Sequence, residues 1–208
     1  EVDDNVSEFP TRLRKDDGSP VISIPTNEDW NNLFGPYGAY QDFENHAEYR
    51  RNTRASKRDD NFPVSLPRSL RQAILCFILG IAVRESRKPN QRNSKLYQPH
   101  NTMLVHVSRF TTWQNTTADL IRDYMSEVKA RVENDKPDEH GSIYLEFESV
   151  WNTHFADIVA NIGDYVAEGY EDGFMTPIVF EAAKKFIPTA TEGIDILAIN
   201  SNTGDKLV

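Results

Sequence analysis

Eleven consecutive residues without a charge, AILCFILGIAV at 73–83, constrain this chain more than any other feature. A helix with one face in water needs polar residues on that face, and this run has none, so it belongs in a core. It is also too short to cross a bilayer, which takes about 20 apolar residues. Pro67 suits the first turn of such a helix, where a missing N–H costs nothing. Arg84, Arg87 and Lys88 suit its far end, the negative pole of the helix dipole, and Pro89 is expected to stop it.

After a polar, basic linker comes TMLVHV at 102–107, short, largely apolar and rich in β-formers. It reads as a strand buried on both faces. A long amphipathic helix follows, with Trp113, Leu120, Ile121, Tyr124, Met125, Val128 and Val132 at three- and four-residue spacings. A strand that passes through a short polar turn into a helix opens an α/β unit, whose ligands gather beyond the carboxyl ends of the strands. ENDKPDEHGS at 133–142 is a surface loop. Tyr144, Phe147, Val150, Trp151, Phe155, Ile158, Val159 and Ile162 then predict a second, aromatic-faced helix. Thr176 and Pro177 open a further helix that Pro188 closes, and IDILAI at 194–199 reads as a second buried strand. The expected class is therefore α/β, mostly helical with a small parallel sheet.

Before this unit, residues 1–65 read as an arm with a small helical or irregular subdomain, including a short edge strand at 21–24 and a capped helix from Thr26. The unit itself spans 66–208, and the acidic start without Met suggests a piece of a larger protein. The single cysteine, Cys76, lies inside the apolar run as a small buried hydrophobe, and a lone cysteine favours a reducing, cytoplasmic compartment.

A net charge of −9 argues at first against nucleic acid, but its distribution does not. Residues 50–109 carry thirteen Lys and Arg against three acids, a local +10, and the rest of the chain carries −19. Such segregation can present a basic face for phosphates on an acidic body. The alternative is a set of solvated linker arginines, some paired with acidic helices.

Catalytic patterns are absent from the sequence. There is no phosphate loop, dinucleotide fingerprint or zinc-binding H-E-x-x-H pair. The five histidines are scattered, and no three ligands converge as zinc requires. A magnesium-dependent endonuclease would need clustered carboxylates, whereas Asp195 has no Glu-x-Lys after it and Glu181 stands at ion-pair spacing from Lys184. No catalytic and no metal residue is assigned.

The segments LPRSLRQAILCFILGIAVR at 66–84 and NTMLVHVSRFTTWQ at 101–114 resemble the Z-one domain of helicase-like NTPases in bacterial restriction and phage defence. In particular the chain looks like the helicase-like motor subunit of an ATP-dependent, stress-sensitive restriction system. The resemblance implies part of the second, RecA-like lobe of a superfamily-two motor, and so a hydrolase parent. It places Ser108, Arg109 and Gln114 where such motors grip a nucleic-acid backbone; in a phosphate-tracking mechanism Arg84 and Arg87 would line the approach. It further implies ATP and magnesium in the parent but not in this piece, with double-stranded DNA and a nuclease subunit as partners and no membrane. Two other readings remain: an interaction module that bridges motor and nuclease through its aromatic helix, and a self-contained endonuclease.

Overall fold

A computed structural model describes residues 63, 65–91, 100–106, 111–161 and 177–200. These fold into six helices: α1 (Arg68–Gln91), α2 (Thr111–Asn134), α3 (Ile143–His154), α4 (Ala156–Ala160), α5 (Phe180–Lys184) and α6 (Ile187–Glu192). The elements expected across 1–62 lie outside the described residues, as does the end of the aromatic helix at Ile162.

The uncharged run forms the middle of α1, and α6, α3 and α5 all pack on that helix. Ile74, Leu75, Ile78, Leu79 and Ala82 share one face and are buried in the core. Burying each large aliphatic side chain contributes about 1.5–3 kcal/mol. Pro67 sits just before the helix and not within it, and its carbonyl accepts the first helical bond from Arg71 N at 3.1 Å. Contrary to expectation, Pro89 does not end α1, which runs on to Gln91. In the last turn a proline removes a single i→i−4 bond, and the chain tolerates that loss.

α2 carries the expected stripe, with Trp113, Ile121, Tyr124, Met125, Val128 and Val132 all buried. A tightly braced loop then turns the chain into α3. Gly141 takes φ +82°, a conformation that suits glycine. Ser142 caps α3 by accepting from Tyr144 N at 3.2 Å, and the Tyr144 hydroxyl donates to Val132 O at 2.9 Å. Asp135 Oδ2 accepts from Ile143 N at 2.7 Å and lies 3.4 Å from Arg131 Nε. Arg131 donates to Gly141 O at 2.8 Å and pairs with Glu146 at 2.7 Å.

The aromatic helix is two helices. It breaks at Phe155, whose ring stacks on Trp151 with centroids 5.4 Å apart. The helix expected from Pro177 is also divided. Residues 177–179 are extended, α5 starts at Phe180, and Pro188 lies in the first turn of α6, where it starts a helix and does not stop one.

The largest correction concerns the sheet. Among the described residues there is no strand and no sheet, so the parallel α/β arrangement does not hold and this part of the chain is helical. Residues 101–106 and 194–199 are extended, but among the described residues neither pairs with a neighbour. They alternate instead. Met103, Val105, Ile194 and Ile196 pack against the helical core, while Leu104, Leu197 and Ile199 face outward at 87%, 65% and 46% exposure. An almost continuous apolar run reads as covered on both faces, but here the helices cover one.

Candidate nucleic-acid interface

Charge is divided between the helices. α1 holds Arg68, Arg71, Arg84, Arg87 and Lys88 against Glu85. The exposed positions of α2 and α3 hold Asp119, Asp123, Glu127, Glu133, Glu146 and Glu148 against Arg122, with Lys129 and Arg131 half-buried on α2. Some of the α1 cations are already engaged within the chain. The Arg71 guanidinium lies 5.3 Å from the centroid of the Tyr124 ring, and Lys88 pairs with Glu85 at 2.8 Å.

The amino-terminal end of α2 is where the second extended segment finishes. The first leads, through residues outside the described set, to Thr111. The second runs along α2 in the opposite direction: Arg122 Nη2 donates to Ile196 O at 3.2 Å, and Asn200 Nδ2 donates to Asn115 Oδ1 at 2.7 Å. The carboxyl end of the second segment therefore approaches the positive pole of a 24-residue helix. Thr116 and Thr117 bond back to Thr112 O and Trp113 O, so their hydroxyls serve the helix itself.

The residues expected to touch nucleic acid are placed unevenly. Ser108 and Arg109 lie outside the described residues. Gln114 is half-buried in the first turns of α2. Arg87 is half-buried near the end of α1 and already has a partner. Arg84 turns toward the first extended segment, and its Nη1 donates to His100 O at 3.1 Å and to Asn101 Oδ1. The sequence reading missed Asn115, Asn200 and Arg122. The polar residues that follow the apolar 194–199 run were their one visible signal.

The residue-level chemistry is quiet. Burial pushes the Cys76 thiol up from 9.0 to about 11. Because the thiolate is the nucleophile, iodoacetamide should label the native chain slowly at neutral pH, with the rate climbing as pH approaches that value. Labelling as fast as that of a free thiol at neutral pH would show that Cys76 is not shielded. Burial, with Glu146 adding to it, also raises the Tyr124 hydroxyl to about 12. Among the described residues no group of three or more His, Cys, Asp or Glu is placed to hold a metal ion, and no helix is long and apolar enough to cross a membrane.

A model of the Z1 (Z-one) domain family matches residues 69–208. The chain belongs to the Z1 domain family. That match takes in all of α1 but its first residue, both extended segments and α2, so the contact between Asn200 and Asn115 lies within the Z1 domain. Comparison of this Z1 domain chain with curated proteins and with solved structures returned no match.

Proposed function

We propose that this Z1 domain chain is part of a helicase-like, ATP-dependent DNA translocase subunit of a restriction system, in which it contributes contacts to the DNA backbone. The observation that carries this reading is that the second extended segment runs to the positive end of α2, where Asn200 meets Asn115, in a chain whose α1 carries five cations against one acid. Phosphate contacts need hydrogen-bond donors and positive charge and no base recognition. Ser108, Arg109 and Gln114 would supply the contacts, with Arg84 and Arg87 flanking the approach. The sequence has no phosphate loop, so ATP and magnesium are assigned to the parent protein and no step here passes through them.

The test is binding of the 208-residue chain to a short DNA duplex, followed by fluorescence anisotropy across a salt series. Affinity should fall linearly with log salt, with a slope of about −0.9 for each phosphate neutralised. Arg109→Ala should weaken binding to all sequences alike and reduce that slope by about 1. No binding at about 50 mM salt would overturn the proposal.

A second reading, an interaction module that bridges motor and nuclease, draws support from a different surface than the sequence indicated. Tyr144, Phe147, Val150 and Trp151 are buried inside the chain, so the aromatic face of that helix is taken up by the core. The outward Leu104, Leu197 and Ile199 favour this reading instead.

A further inference from the structure

The second extended segment has two unlike faces. Ile194 and Ile196 pack against the core, while Asp195, Leu197 and Ile199 stand outward at alternate positions, the two aliphatic side chains with 65% and 46% of their surface exposed. Two bonds tie the segment to α2, from Arg122 Nη2 to Ile196 O and from Asn200 Nδ2 to Asn115 Oδ1. The same Arg122 pairs with Asp119 at 2.5 Å, so the Asp119 carboxylate sits one guanidinium away from the main chain just before Leu197. Asp123 follows one turn later on α2 and is also exposed. Across residues 111–123 and 192–200 the acids are Asp119, Asp123, Glu192 and Asp195 and the one cation is Arg122, a net −3. The aliphatic row therefore lies in negatively charged surroundings.

We propose that this row is a docking surface for a protein segment that presents two apolar side chains at alternate positions with a lysine or arginine beyond them. The charge selects that occupant. Nucleic acid, itself an anion, is repelled by these acids. A second copy docking through the same row would bring the same acids with it, and two net-negative surfaces would meet. A basic partner instead sets a cation against Asp195 while its apolar side chains cover Leu197 and Ile199. Alternate side chains of an extended chain stand about 6.6 Å apart, so an extended partner matches the row position by position. The inference deepens the interaction-module reading and does not depend on contact with DNA.

A labelled peptide, KTLTLTK, carries that pattern in either chain direction, and anisotropy follows its binding to the 208-residue chain. The peptides ETLTLTE and KTSTSTK, which change only the charges or only the leucines, should each bind about tenfold more weakly or worse. Leu197→Ser should weaken KTLTLTK about tenfold, as expected when a leucine leaves an apolar contact. Asp195→Asn should weaken it about threefold, with the difference shrinking as salt rises. Leu145→Ser and Glu148→Gln alter exposed positions of α3 and should leave binding as it is. All four substitutions are at exposed positions, so the urea midpoint should hold. Equal binding of KTLTLTK and ETLTLTE, or equal losses for Leu197→Ser and Leu145→Ser, would overturn the proposal. So would a dimer in sedimentation equilibrium that Leu197→Ser dissolves, because a second copy would then occupy the row. Dependence on Leu104 alone would shift the contact to the first extended segment, overturning this surface while keeping the interaction-module reading. Binding indifferent to Leu104, Leu197 and Ile199 together would remove that reading as well.

Discussion

Phe147→Ala should destabilise the chain by about 3–5 kcal/mol, the cost of emptying a large aromatic site in a core that cannot fully collapse. Phe147 is the largest of the fully buried side chains and lies on α3, between the helices that the uncharged run and the amphipathic stripe supply. Domains of this size hold together by about 5–15 kcal/mol, so one substitution would remove a large share. Urea unfolding followed by far-ultraviolet circular dichroism measures it. Phe147→Leu, which keeps most of the volume, should lose much less. A loss below about 1 kcal/mol for alanine would mean that α3 does not pack as described.

Asp135→Ala is the second large effect, and it acts through the main chain. The Asp135 carboxylate accepts from Ile143 N at the start of α3 while facing Arg131. Ile143 has no exposed surface, so removing the acceptor strands a buried amide next to an arginine that has lost one of its anions. Hydrogen bonds to charged groups contribute about 1.5–3 kcal/mol, and the loss should fall in that range. Asp135→Asn keeps an acceptor and should lose about half as much by the same reasoning. Truncating Glu146 or Glu127, both largely exposed, should cost under about 1 kcal/mol, because solvent screens those pairs. Equal losses for the alanine and asparagine variants would show that the ion pair, and not the bond to Ile143, holds the loop.

The helices were legible because their signals are local and repeated. Eleven residues without charge fix α1 as core, and seven apolar residues at helical spacing fix α2. Breaks were harder to read. Phe155 has ordinary helical chemistry, and nothing in its type announces that the chain will reorient there to stack its ring on Trp151. A proline can end one helix or begin another with the same fixed φ, so Pro188 marks a boundary without giving its direction. The two expected strands illustrate a different limit. Alternation and β-forming residues specify extended backbone, and residues 101–106 and 194–199 are extended. A sheet also needs a neighbour, which no property of six residues can supply. The candidate interface was partly visible for the same reason: Arg84 and Gln114 could be named from the resemblance, but the bonds from Arg84 to His100 and Asn101 and from Asn200 to Asn115 join residues far apart in the chain.

The outward aliphatic rows at Leu104, Leu197 and Ile199 bear on how the protein must be assayed. A hydrophobic dye such as anilinonaphthalene sulfonate, commonly used to report loosened packing, will find a landing place on the intact fold. Its fluorescence will start high and change little on heating, so thermal scans with that reagent would misjudge the melting point. Tryptophan emission, to which the buried Trp113 and Trp151 both contribute, is the sounder probe.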